Sequence, residues 1–241
     1  PGHNKPLLAW GSILPEIMFY SDKHPFKFEE IHEGGDKVFE FLKKEKPKWI
    51  DLALGMMAHS YKYGADYFDD FPQLELLGYF KGKDRNFEEK IAKAENIKDL
   101  HVTQVRVHNI LDLALDLYIA KNYPWVIEDL EKTFQKIKMQ DISELLARCF
   151  EKDKDEVATA VQNLKDKIKI DDFRNIENIA KMWIKFTRSL KFERLNSKRK
   201  INPNDTVEII QICAGKIRGK EERFLESAIE RTRENINKFI L

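Results

Sequence analysis

Apolar residues recur at helical spacing along almost the whole chain, and nowhere do they alternate in the two-residue rhythm of a half-buried strand. Proline punctuates the pattern: Pro47 stands where a helix can begin, and Pro72 and Pro124 where one must stop. This predicts an all-α multi-helix bundle. Pro6 to Tyr20 reads as a short apolar segment interrupted by Gly11 and Pro15, and Gly34-Gly35 breaks the next one before Asp36 to Lys44. A central helix is expected from Trp49 to Phe71, because apolar residues from Ile50 to Met57 cover most of its circumference. Gln73 to Phe80 and Phe87 to Glu95 are shorter, and Asp99 caps a long helix to Lys121.

Beyond Pro124 the pattern changes to amphipathic runs rich in Lys/Glu pairs: Trp125 to Met139, Asp141 to Glu151, Glu156 to Lys169, Asp171 to Phe192, Asp205 to Ile217 and Glu221 to Ile240. Asn196 to Asn204 is the clearest loop. A soft boundary therefore falls near residue 124, between a half at 1–123 and a Lys/Glu-rich half at 124–241, with two helical layers around one core as the alternative. A chain of 241 residues is long enough to bury a core without disulfides.

Charged residues make up 34% of the chain, dominated by Lys and Glu, a bias associated with hot environments. They nearly cancel to a net charge of +1, so no global field draws nucleic acid or a membrane surface. The densest basic run, Arg188, Lys191, Arg194, Lys198, Arg199 and Lys200, lacks the interleaved aromatics of a single-strand binding face, which leaves nucleic acid a weakly supported partner. Cys149 and Cys213 sit in helical patterns with no histidine nearby and read as small buried residues of a reducing compartment. No apolar run approaches the length of a membrane span, and no signal peptide is visible. A cytoplasmic setting is the expectation, with secretion left open because the first residue is Pro1 rather than Met.

Chemistry concentrates in the first half. All six histidines lie between His3 and His108. Seven positions on an α-helix return a side chain to within roughly 20° of its start. On the expected central helix His59 and Asp66 would share a face, and so would His101 and His108 on the long helix, with Asp112 one turn on. Imidazoles and carboxylates gathered from several helices are what a Zn, Fe or Mn site in a helical protein requires. No Cys-x-x-Cys pair exists, so the donors would be N and O. Asp69 and Asp70, at the expected end of the central helix, oppose its dipole and so read as candidate ligands.

In order, the residues are Gly11-Ser12-Ile13-Leu14-Pro15-Glu16, then His24 and His32 among Glu29, Glu30 and Glu33, then Leu54-Gly55-Met56-Met57-Ala58-His59 with Asp66, then His108-x-x-x-Asp112. From Gly11 to about Asp116 this resembles the zinc-dependent phospholipase C family, whose all-helical fold is shared with zinc-dependent single-strand nucleases. The resemblance implies up to three metal ions. Glu16, one of His24 and His32, His59, Asp66, His108 and Asp112 would be the ligands, with Asp66 bridging ions or orienting the attacking water. His101 and Asp70 are further candidates. The pattern departs from the family in having Glu16 for Asp, Asp112 for Glu, seven rather than four residues from His59 to Asp66, and Pro72 where a second histidine is expected.

The expected function is metal-dependent hydrolysis of a phosphoester, with a small phosphoester or a phospholipid headgroup as substrate. Two other readings stand beside it. One is a non-catalytic helical interaction protein with a partly lost site. The other is a di-iron carboxylate bundle, for which Glu29-x-x-His32 supplies half a signature.

Overall fold

A computed structural model of the chain describes residues 3–21, 23–189 and 201–241. The described residues are predominantly helical, with no strand among them. The helices are α1 (Lys5–Ile13), α2 (Ile17–Tyr20), α3 (Phe28–Ile31), α4 (Gly35–Glu45), α5 (Ile50–His59), α6 (Phe71–Leu74), α7 (Arg85–Ala94), α8 (Leu100–Asn122), α9 (Pro124–Lys136), α10 (Met139–Phe150), α11 (Lys154–Lys167), α12 (Ile176–Ser189), α13 (Pro203–Ile217) and α14 (Glu221–Ile240). No described helix is long and apolar enough to cross a membrane. The basic run from Lys191 to Lys200, and most of the expected loop at Asn196 to Asn204, lie outside the described residues.

The chain forms two compact units, each drawing on residues before and after Pro124. The first comprises Pro1–Tyr67, Glu128–Ile170 and Ala228–Leu241; the second comprises Phe68–Ile127 and Asp171–Ser227.

In the first unit α5 is the central element. Leu52, Ala53, Leu54, Gly55, Met56 and Met57 are all buried along it, and α1 and α4 pack against it. Gly11 does not interrupt a helix, as the sequence suggested; it lies inside α1. A Cβ on Gly11 would stand 2.0 Å from the Leu52 carbonyl oxygen, and one on Gly55 would stand 2.1 Å from that of Leu8. The two helices therefore cross backbone to backbone at this pair of glycines. The crossing carries Trp10 and Leu14 into full burial. It also directs the end of α1 toward Pro15 and Glu16, which follow in a short 3₁₀ turn.

Helix α5 stops at His59, twelve residues short of the expected end at Phe71. Ser60 turns to an extended backbone (ψ 155°). The next amides find other partners: Tyr61 and Lys62 donate from their backbone N–H groups to the Glu33 carboxylate, at 3.0 and 3.1 Å. Tyr63 N–H donates to the Ser60 hydroxyl. An acid 28 residues away in sequence takes the place of helical carbonyls, and such tertiary satisfaction outweighs local propensity. The chain resumes in a 3₁₀ turn at Ala65–Asp69 and then α6.

In the second unit α7, α8, α12 and α13 pack on one another. α8 follows the sequence expectation closely, with Asp99 accepting from the Thr103 N–H and hydroxyl at its start. Glu88, almost wholly buried, is satisfied by the Tyr79 hydroxyl (2.8 Å), the Gly82 N–H (2.9 Å) and the Gln104 amide (3.3 Å). Both cysteines are buried and unpaired. Burial pushes the Cys149 thiol up to about 11, so it is inert near neutral pH.

Candidate metal centre

Three segments of the first unit converge on one point. His32 enters from the end of α3, where its backbone N–H donates to the Phe28 carbonyl at 2.8 Å. Its ring is buried, and Phe28 lies nearly parallel over it, centroids 4.4 Å apart. His59 is the last residue of α5. Asp66 comes from the turn that Glu33 holds. Among the described residues, His32, His59 and Asp66 form the one group of three or more histidine, cysteine or acid side chains able to hold a metal ion, with ligand atoms within 4.8 Å of one another. Glu16, positioned by the α1–α5 crossing, adjoins them.

The distances have a consistent meaning. The two imidazoles face each other through Nε2 at 3.3 Å. His32 Nε2 lies 3.0 Å from Asp66 Oδ2, and His59 Nε2 lies 3.6 Å from Asp66 Oδ1 and 3.4 Å from Glu16 Oε1. Bonds of about 2.0–2.1 Å to zinc place tetrahedral donors about 3.3 Å apart. The separations seen here scatter around that edge. Two imidazole nitrogens and the Asp66 carboxylate, with Glu16 beside His59, are N and O donors that suit zinc, iron or manganese.

Glu33 completes the arrangement. Its Oε1 lies 2.9 Å from His32 Nδ1, so Nδ1 holds a proton and donates it, which aims Nε2 at the other donors. The same carboxylate takes the Tyr61 and Lys62 amides, so one side chain orients a histidine and shapes the loop that presents Asp66. Spacing did not single it out, because it stands beside a candidate ligand rather than at helical distance from one.

Electrostatics follow from this crowding. Burial would push the His32 imidazole down, but the hydrogen bonds and charges of Asp66 and Glu33 outweigh it and push it up to about 9. A proton on Nε2 thus occupies the place a cation would take. Burial raises the Glu16 carboxyl above its ordinary range; Asp66 raises it further, and the His59 imidazole partly opposes both.

Of the remaining candidates, His24 is half-buried and stands outside the group. Glu29, the other half of the di-iron signature, is exposed. Asp70 precedes α6 and its carbonyl accepts from the Gln73 and Leu74 amides. It therefore sits at a helix start, where an acid suits the dipole; the expected mismatch vanishes because the preceding helix ended at His59. His108 and Asp112 lie one turn apart on α8 in the second unit, both half-buried, with His108 Nε2 2.8 Å from the Asn109 amide. His101 is in the first turn of α8, and its side chain lies outside the described residues. The expectation that His59 and Asp66 share a helical face is corrected: they meet across a helix end and a 3₁₀ turn.

No protein-family model, curated protein or solved structure matches this chain. What stands is an all-α chain with a histidine–carboxylate group that could hold a metal ion.

Proposed function

We propose that this chain is a metal-dependent phosphoester hydrolase related to the zinc-dependent phospholipase C family. The observation that carries the reading is the convergence of His32, His59 and Asp66, whose ligand atoms lie within 4.8 Å of one another, with Glu16 3.4 Å from His59. The G-S-I-L-P-E and L-G-x-x-x-H segments named for the resemblance supply Glu16 and His59 to that point. Zinc is the preferred ion, with iron or manganese as substitutes the same donors accept.

An ion held there would supply Lewis-acid polarisation of a phosphoryl oxygen and lower the pKa of a water beside it. The side chains do the rest. His32 and His59 hold the ion with neutral nitrogens. Asp66 presents both oxygens toward the two imidazoles and fixes the nucleophile's direction. Glu16, its carboxyl raised above the ordinary range by burial, would face the ion through Oε1 beside His59.

Elemental analysis of protein purified without an affinity tag should find about one to two equivalents of metal per chain, given the number of N/O donors. A chromogenic phosphoester should be cleaved, and Asp66→Asn should remove at least about 99% of that activity by deleting a charge without changing size. A preparation that holds no metal, rebinds none and melts unchanged on metal addition would refute the site. Bound metal without cleavage of any diester, monoester or single-stranded nucleic acid would point instead to a scaffold that keeps the ion for structure.

Proton and metal compete for His32. Without an ion, the raised imidazole contributes stability that is fully present below 6.5 and lost as pH rises through about 9. An ion needs the neutral ring. The rise in melting temperature on adding zinc should therefore be larger near pH 9 than near 6.5. A zinc effect flat across that window would remove His32 from the ligand set.

A further inference from the structure

We infer that Arg231, on the last helix, binds the non-bridging oxygens of a phosphoryl group at the metal centre. The inference rests on the metal-dependent phosphoester reading above and names the side chain that recognises the substrate's charge.

Four observations lead there. First, the guanidinium carbon of Arg231 lies 3.4 Å from the centre of the Tyr67 ring, and Tyr67 follows Asp66 directly in the 3₁₀ turn. Stacking of this kind holds the plane of the fork and leaves its N–H edges to a ligand. Second, Arg231 Nε is buried and has no hydrogen-bond partner. No acid among the described residues pairs with the guanidinium. A buried donor of a charged group left without an acceptor costs free energy, and its usual explanation is a ligand or water that the protein chain does not supply.

Third, α14 is anchored to the same loop one and two turns further on. Asn235 reaches the Tyr63 carbonyl at 3.5 Å, and the Phe239 ring packs edge-on against Tyr63, centroids 5.5 Å apart. Positions 231, 235 and 239 are one helical face, so that face is locked onto the segment that presents Asp66. Tyr61 packs edge-on against Tyr67, centroids 5.6 Å apart, while its backbone N–H is held by Glu33.

Fourth, charge favours it. Glu16 and Asp66 face the place of the ion and Glu33 lies behind His32, so one divalent cation leaves no surplus positive charge for an anionic substrate. Lys62, the nearest lysine in sequence, is engaged: its Nζ lies 2.9 Å from Asp36 Oδ2, which also accepts from the Tyr63 hydroxyl at 3.1 Å. Among the described residues, Arg231 is a cation beside this loop whose buried Nε has no acceptor. A guanidinium fork matches two phosphoryl oxygens in one plane, a geometry an ammonium cannot reproduce.

The test uses the full chain loaded with zinc and inorganic phosphate as the probe. Zinc affinity is measured by competition with a chromophoric chelator, and phosphate affinity by titration calorimetry on the zinc form. Arg231→Gln should weaken phosphate about 10- to 100-fold, the range of charge-assisted hydrogen bonds, and leave zinc affinity within about twofold. Arg231→Lys should recover part of the loss. Tyr67→Leu should weaken phosphate with zinc retained, and together with Arg231→Lys it carries the test should Arg231→Gln fail to fold. Phosphate affinity unchanged in zinc-loaded Arg231→Gln, or a zinc-loaded parent that ignores phosphate, overturns this inference and leaves the metal site standing. A parent that binds no zinc overturns both.

Discussion

Gly55→Ala is expected to destabilise the protein by about 3 kcal/mol or more, the upper end for overpacking a core, and to release bound metal with it. A new Cβ would stand 2.1 Å from the Leu8 carbonyl oxygen and 2.8 Å from the Gly11 Cα. Both are backbone atoms inside helices and cannot swing aside as a side-chain tip would. The helices must separate, and α1 carries Trp10, with Leu14 directly after it, in full burial. For a chain of this length the loss corresponds to a fall in melting temperature of about 6–12 °C. Displacing α1 also withdraws Glu16 from His59, so metal affinity should fall although neither glycine touches the site. Gly215→Ala is the internal control. Gly215 lies in α13 with nothing within 4 Å of its would-be Cβ, so alanine there should stabilise by about 0.5–1 kcal/mol through helix propensity. The same chemical change thus takes opposite signs at two helical glycines. Thermal unfolding of both variants, with zinc titrated into each, checks it; two variants that melt alike would show that the α1–α5 crossing is not close-packed.

Helical periodicity made the fold class legible, together with α8 and the amphipathic helices that follow Pro124. Local signals act over a turn or two, and those helices need nothing more. The site was legible only as a set of residue types. His59 and Asp66 were paired by a seven-residue spacing, yet they meet because α5 ends early. That end is imposed by Glu33, whose carboxylate draws the Tyr61 and Lys62 amides out of the helix. No window centred on residue 60 contains that acid. The choice between His24 and His32 was undecidable for the same reason: a ring's direction depends on its partner, and only folding shows that His32 Nδ1 meets Glu33. Gly11 read as a breaker because a single sequence cannot distinguish a glycine needed for its backbone freedom from one needed for its lack of a side chain. Arg231 lies 165 positions beyond Asp66 and shares no motif with it, so only the packing of α14 on the Tyr63–Tyr67 segment brings it into view.

His59→Ala should abolish high-affinity zinc binding, a loss well beyond the about 10- to 100-fold that removing an outer hydrogen-bonding partner costs. His59 Nε2 is the hub of the group, facing His32 Nε2, Glu16 Oε1 and Asp66 Oδ1 at 3.3, 3.4 and 3.6 Å. Without it one imidazole and two carboxylates remain, and the edge that joins Glu16 to the others is lost. Metal-free His59→Ala should melt close to the metal-free parent, because His59 is only half-buried at the end of α5 and the proton held by His32 and Asp66 remains. The contrast appears on adding zinc. A parent at 1,000 times its dissociation constant gains about 4 kcal/mol of stability, and the variant should gain almost none. Glu33→Gln is the informative comparison. The amide can keep its one oxygen for the Tyr61 N–H and His32 Nδ1, while its NH2 faces the Lys62 N–H and the charge beside His32 is lost, so zinc should weaken by about 10- to 100-fold rather than vanish. Ranked zinc affinities of parent, Glu33→Gln and His59→Ala, in that descending order, follow from a site in which His59 touches the ion and Glu33 acts through His32. Equal affinities in all three would place any bound zinc elsewhere in the chain, and a reversed order of the two variants would make Glu33 itself a ligand.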